Sequence, residues 1–87
     1  MSEKLIEMKI AGKDVSFSPN VTAYNKYINE ITMGNKVSPA HNFLVRIVTP
    51  ETKEALTELL ERPGAALQIV GKVLDEYTPE LEITVKN

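Results

Sequence analysis

Apolar and polar residues alternate at both ends of this chain, and a period of two is typical of half-buried β-strands. Near the N-terminus the alternating apolar residues are Ile6, Met8, Ile10, Val15 and Phe17. Gly12 followed by Lys13 suits a two-residue type II′ turn, in which the first central residue needs a positive φ. We therefore expect a β-hairpin over residues 4–18, with Ile10 opposite Val15 and one apolar face.

The stretch between the two ends has helical periodicity instead, with apolar residues three and four positions apart. Ser38 before Pro39 and Thr49 before Pro50 are typical helix starts, because serine and threonine are good N-caps and proline suits the first turn. We expect about four short helices within residues 20–77. Their apolar stripes are Tyr24, Tyr27, Ile28 and Ile31; Ala40, Phe43, Leu44, Ile47 and Val48; Ala55, Leu56, Leu59 and Leu60; and Ala66, Leu67, Val70, Val73, Leu74 and Tyr77.

The last residues return to strand periodicity, because Leu81, Ile83 and Val85 alternate with polar residues. We expect a strand over residues 80–86, which either completes a small antiparallel sheet with the hairpin or pairs with another chain. Closure of the chain's own sheet is the favoured alternative. The expected fold class is α+β, in a single domain over residues 1–87, because chains divide into domains only well above about 200 residues.

Composition excludes several classes of function. The absence of cysteine excludes disulfides and thiolate metal sites, and it fits a reducing cytoplasm. The formal net charge is −2, and no basic cluster with interleaved aromatic rings occurs, so we expect no nucleic-acid partner. The opening MSEKLIEMKIAG has no continuous apolar stretch. We therefore expect neither a signal peptide nor a membrane segment.

Residues that could carry catalysis are scarce. His41 is the single histidine, and it falls in the first turn of the expected second helix, with no cysteine or second histidine to share a metal. The four glycines are scattered, so the sequence has no phosphate-binding loop. No template for an active site fits the sequence. We therefore expect a non-enzymatic protein without a catalytic residue, a cofactor or a bound metal.

An acidic ridge is the one candidate site in the helical region. It is formed, at helical spacing along the expected third helix, by Glu51, Glu54, Glu58 and Glu61. The favoured interpretation is a solvated helix face, and the alternative is a contact with a basic partner. Carboxylates can also hold Mg²⁺ or Ca²⁺, but no calcium-loop spacing supports that. The candidate partner-binding residues are this ridge and, in the expected C-terminal strand, Leu81, Ile83 and Val85.

The chain also resembles a family of small tailed-bacteriophage proteins, the tail assembly chaperones. The resemblance is carried by the run NKVSPAHNFLVRIVTPETKEAL and by the ending LLERPGAALQIVGKVLDEYTPELEITVKN, and the segment YNKYINEI is similar too. It therefore covers nearly the whole chain. It depends on overall pattern and on phrases such as AHNFL and EYTPELEITVK rather than on a catalytic signature.

The resemblance implies a non-enzymatic protein of the host bacterial cytoplasm. Such chaperones coat the long tape measure protein until tail tube subunits assemble around it, and many copies on one partner would favour self-association. No residue role is transferred from the family. The alternative is a small phage regulatory or inhibitory protein that binds a bacterial host protein. A gene position between the tail tube and tape measure genes would favour the chaperone.

Overall fold

The computed structural model describes residues 5–78 and 81–86, and within them it shows one hairpin followed by four α-helices. The elements are β1 (Ile6–Ile10), β2 (Lys13–Phe17), α1 (Val21–Glu30), α2 (Val37–Ile47), α3 (Lys53–Leu59) and α4 (Ala65–Tyr77). A 3₁₀ turn, Pro50–Thr52, precedes α3. This order confirms the expected α+β class, with an N-terminal hairpin and four helices.

The hairpin turns one residue earlier than the sequence predicts. β1 and β2 pair antiparallel with Ile10 opposite Lys13, so the two central turn residues are Ala11 and Gly12. Both have positive φ, 50° and 84°, as a type I′ turn requires, and this turn matches the right-handed twist of the strands. The expected pairing of Ile10 with Val15 is wrong by two residues. Because side chains alternate with a period of two, the apolar face is nevertheless the expected one.

Two of the expected helix starts differ in detail. α2 begins at Val37, and its N-cap is Lys36, which makes no side-chain cap; the expected N-cap at Ser38 is therefore wrong. Thr49 precedes the 3₁₀ turn, but its hydroxyl contacts the Thr52 hydroxyl at 2.8 Å and caps no backbone amide. α1, in contrast, has a side-chain cap, because Asn20 Oδ1 accepts a hydrogen bond from the Ala23 amide at 2.8 Å.

The core lies between the inner face of the hairpin and the helices, with α2 packed against both α1 and α4. Tyr27 of α1 stacks on Phe43 of α2 with ring centroids 5.1 Å apart. In α4, Leu67 is exposed although the sequence places it in the buried stripe, and Ile69 is buried instead. The buried residues form one cluster: Ile6, Val15, Phe17, Ala23, Tyr27, Ala40, Phe43, Leu44, Ile47, Val48, Leu56, Leu59, Ala66, Ile69, Val70 and Val73.

The expected C-terminal strand is not formed in its described part. Residues 81–86 have no strand structure, and the sheet of the described residues contains β1 and β2 alone. Leu81, Ile83 and Val85 are 75%, 78% and 77% exposed, so their apolar side chains contribute nothing to the core. The closure of the chain's own sheet is therefore wrong for these residues. Residues 4 and 80, which the expected boundaries include, lie outside the described residues.

Candidate functional site

The outer edge of β2 is closed by the segment that follows α2. The Ser18 amide donates to the Ile47 carbonyl at 2.7 Å, and the Thr49 amide donates to the Ser16 carbonyl at 2.9 Å. The Ser16 amide donates to Thr52 Oγ1 at 3.1 Å. The Ser16 amide and carbonyl and the Ser18 amide are thus hydrogen-bonded on this edge, and the segment around Thr49 occupies the place that another strand would take beside them.

The outer edge of β1 is open. Since the Ser16 backbone bonds away from β1, the facing pair Glu7–Ser16 is a non-hydrogen-bonded pair of the ladder. The backbone N–H and C=O of Glu7 therefore point to the outer edge. Lys9 lies two residues further along, so its backbone groups point the same way. In the described part of the chain no strand pairs with these four groups.

A groove of about 860 Å³ runs beside this open edge, between β1 and α4. Its β1 wall carries the half-buried Met8 and Ile10, and its opposite wall is a largely polar face of α4, beneath which Ile69 is buried. The residues that line it include Ile6, Met8, Ile10, Leu59, Ile69 and Lys72. A groove with an apolar strand wall next to unpaired backbone groups is the geometry that accepts an added strand.

The candidate residues of the C-terminal segment, residues 81–86, are displayed to solvent. Leu81, Ile83 and Val85 keep the alternation with polar residues, and each is largely exposed. Exposed large apolar side chains cost free energy in water, about 25 cal/mol per Å² of apolar area. Their burial against a second surface would therefore be favourable.

The four glutamates of the acidic ridge do not form one continuous helix face. Glu51 lies in the 3₁₀ turn, Glu54 and Glu58 lie in α3, and Glu61 follows the end of α3. All four are exposed, and Glu58 forms an ion pair with Lys13 Nζ at 3.0 Å. The expected single helix is thus a 3₁₀ turn, α3 and a following turn, and one of the four exposed carboxylates is already paired.

Other features of chemical interest are sparse among the described residues. His41 is exposed, and it is the fifth residue of α2; its expected place in the first turn is wrong, because the helix begins at Val37. Residues 5–78 and 81–86 contain no group of three histidine, cysteine or acidic side chains placed to hold a metal ion. Within the same ranges no helix has the length and apolar character needed to cross a membrane.

Further exposed apolar side chains, missed from the sequence, lie at or near the connection between α1 and α2. Met33 is 97% exposed at the tip of a tight loop, which is closed by two 3.2 Å backbone hydrogen bonds between Thr32 and Asn35. Val37 at the start of α2 and Ile28 on α1 are exposed nearby in the chain. The sequence does contain a sign that Met33 is exposed, because this residue follows the last position of the helical stripe and precedes a glycine.

The open edge and the exposed apolar side chains indicate the class of protein to which this chain belongs. It is a small α+β protein that presents an open strand edge, an unpacked strand-like segment and exposed apolar side chains. Such features are typical of proteins that bind other protein chains.

Comparison with known proteins gives the family. The model of the phage tail assembly chaperone family matches residues 6–87, and this chain therefore belongs to that family. An uncharacterised 11.3 kDa protein of Haemophilus phage HP1, from the region 3′ of the lys gene, is 40% identical over 82 residues. The match covers 94% of this chain and 80% of the phage HP1 protein.

A solved structure shows the same fold. It is that of the uncharacterised protein rbstp2171 from Bacillus stearothermophilus, with a TM-score of 0.74. The similarity covers 95% of this chain and 90% of the other, at 18% sequence identity. At that identity the likeness concerns the fold alone.

Proposed function

We propose that this protein binds the phage tape measure protein in the host bacterial cytoplasm and keeps it soluble until the tail tube assembles. It would do so by contact alone, without catalysis or a cofactor. The observation that carries the proposal is the family match over residues 6–87, to phage tail assembly chaperones. The exposed apolar surfaces support it, because a chaperone that binds unassembled chains must cover their apolar stretches.

The surface around Met33 is the proposed contact for the client protein. Met33, Val37 and Ile28 are apolar and exposed, and methionine adapts its shape to varied partners because its side chain is unbranched and flexible. A chaperone that coats a long chain meets many different local sequences. An adaptable apolar contact suits that task better than a shaped pocket does.

The acidic surface and the C-terminal segment are the other proposed partner-binding elements. Glu51, Glu54 and Glu61 are exposed carboxylates, and they would attract basic stretches of a client while they keep the complex soluble. Such attraction weakens as salt is added, because the Debye length shortens. The C-terminal segment with Leu81, Ile83 and Val85 would pair with a protein chain through its strand-like alternation.

Co-expression with the tape measure protein of the same phage tests the proposal. We expect the tape measure protein to be insoluble alone, and to be soluble and co-purified when this chain is present. The double variant Met33→Ser/Val37→Ser should lower the recovered client severalfold, because it removes exposed apolar area. The control Asn25→Ser/Asn29→Ser changes two exposed polar residues of α1 and should leave recovery unchanged. An equal fraction of soluble client with and without the chain would contradict the proposal.

A further inference from the structure

The C-terminal segment and the open edge of β1 complement each other, and we propose that they pair between two copies of the protein. Residues 81–86 of one copy would add to β1 of a second copy as a third, antiparallel strand. Exchange in both directions gives a two-fold symmetric dimer. This inference rests on the partner-binding role proposed for the segment, and it names the partner as a second copy of the chain.

The C-terminal segment matches β1 in length and in the alternation of apolar and polar residues. β1 has five residues, Ile6–Ile10, and the five residues Leu81–Val85 span the same length in an extended strand. In full antiparallel register the polar residues of the segment face outward beside Glu7 and Lys9. Its apolar residues extend the inner face of the sheet over the groove, in the pairs Ile6 with Val85, Met8 with Ile83, and Ile10 with Leu81.

Charge favours the antiparallel orientation. That register sets Glu82 opposite Lys9, and opposite charges on facing strands stabilise a sheet. A parallel strand that places Leu81 beside Ile6 would instead set Glu82 beside Glu7, and like charges in that position destabilise the pairing.

The path of α4 prevents the same chain from making the antiparallel pair. Glu58, near the end of α3, forms an ion pair with Lys13 at the turn end of the hairpin, and the short connection from α3 then leads into α4, so α4 starts towards that end. Tyr77 ends α4 against Tyr24 in the first turn of α1, with ring centroids 6.0 Å apart. The first turn of α1 closely follows the end of β2, at the open end of the hairpin. α4 therefore runs from the turn end of the hairpin to its open end.

The reach of the chain after α4 decides whether this strand pair can form within one copy or only between two. The antiparallel register needs Leu81 beside Ile10, at the turn end, whereas Tyr77 lies near Ile6. The separation of Ile6 and Ile10 along β1 is about 14 Å, and the four steps from Tyr77 to Leu81 reach at most about 14 Å. No length remains for the step from the helix to the strand edge. A pair between two copies has no such constraint, and the matched length, alternation and charge of the segment and β1 favour a second copy as the partner.

Paired cysteines test the register directly, because the chain has no native cysteine. Glu7 and Thr84 would be directly opposite, at about 5.5 Å between Cα atoms, which is within disulfide range. The variant Glu7→Cys/Thr84→Cys should form covalent dimers on mild oxidation. The matched variant Glu7→Cys/Glu82→Cys would form an internal disulfide only in the parallel arrangement within one chain. Internal disulfides in the second variant and none between chains in the first would overturn the proposal.

Sedimentation of the purified protein without client gives an independent test. We expect a monomer–dimer equilibrium. Ile83→Asp should raise the dimer dissociation constant at least about tenfold, because a charge would be placed beside Met8 on the inner face of the sheet. Ile83 is exposed in the monomer, so this variant should keep the thermal midpoint of the dissociated chain. Met33→Asp changes an even more exposed apolar residue of the proposed client surface, and it should leave the dimer intact. A monomer at every concentration, or a dimer indifferent to Ile83→Asp, would overturn the pairing.

These readouts are separate from the test of chaperone activity. Loss of the dimer by Ile83→Asp is measured with no client present, and client recovery with the Met33 variant does not depend on the strand exchange. If the strand exchange is not observed, the proposed chaperone role is unaffected. If the client is not recovered, the proposed dimer is likewise unaffected.

Discussion

The closure of the β2 edge by Thr52 can be tested by one nearly isosteric substitution, Thr52→Val. The Thr52 hydroxyl accepts from the Ser16 amide at 3.1 Å, contacts the Thr49 hydroxyl at 2.8 Å and lies 3.3 Å from the Ser16 carbonyl. Valine keeps the shape of the side chain and removes all three contacts. The Ser16 amide, in a half-buried position, then has no acceptor.

The expected loss follows from that unpaired amide. A buried or half-buried donor without a partner costs about 1–3 kcal/mol, and Ser16 is only partly buried, so we expect a loss of about 1–2 kcal/mol. For a chain of this size the urea m-value is about 1 kcal/mol per M, so the midpoint should fall by about 1–2 M. The newly unpaired edge should also increase aggregation in the transition region.

Urea unfolding followed by far-ultraviolet circular dichroism measures the loss. Thr57→Val is the matched control, since the Thr57 hydroxyl makes a single exposed hydrogen bond to the Lys53 carbonyl at 2.9 Å. We expect the control to change stability by less than about 0.5 kcal/mol. Equal effects of the two substitutions would refute the closing role of Thr52.

Three further changes have defined outcomes. Ala11→Asn should raise the thermal midpoint by about 4–8 °C, because asparagine tolerates the positive φ that strains alanine in this type I′ turn. Burial, and next the neighbouring Tyr24, raise the pKa of Tyr27, so the native state keeps a proton that the unfolded chain loses. Stability should therefore fall as the pH rises from about 9 to 11, and Tyr27→Phe should flatten that fall in urea midpoints. Lys13→Met should change the unfolding free energy by at most about 0.5 kcal/mol, because its ion pair with Glu58 is solvent-exposed; a loss above about 1.5 kcal/mol would contradict this.

Local periodicity predicts which segments are strands and which are helices. It does not predict an exact boundary where two turns one residue apart are both possible. The hairpin was clear from its alternation, yet the turn moved from Gly12-Lys13 to Ala11-Gly12. The type I′ turn lengthens the ladder so that Ile6 pairs with Phe17, and both are buried. The register therefore depends on which residues the core buries, and that cannot be read from the turn residues alone.

The C-terminal strand failed for a different reason. The alternation of Leu81, Ile83 and Val85 is a property of the segment, whereas pairing also needs an edge within reach in the right orientation. β2 offers no edge, because the backbone around Thr49 occupies it. The path of α4 keeps the antiparallel site on β1 beyond the reach of the same chain. Both facts depend on tertiary structure, so the pattern of the segment alone does not predict them.

The candidate surfaces were partly foreseeable. The exposed glutamates and the apolar C-terminal segment were named from the sequence, and each is exposed in the structure. Met33 was missed because one methionine in a loop has no periodicity. The assignment of Tyr27 and Phe43 to the core is confirmed, since both are buried and stacked.

The most direct test of the proposed chaperone role is an affinity pull-down of the tagged protein from host cells that express the phage genes, with the bound proteins identified by mass spectrometry. We predict stoichiometric recovery of the tape measure protein, reduced by the Met33→Ser/Val37→Ser variant and unchanged by Asn25→Ser/Asn29→Ser. Recovery of a bacterial enzyme with no tail protein would contradict the chaperone role, and would favour an inhibitor of a host protein instead.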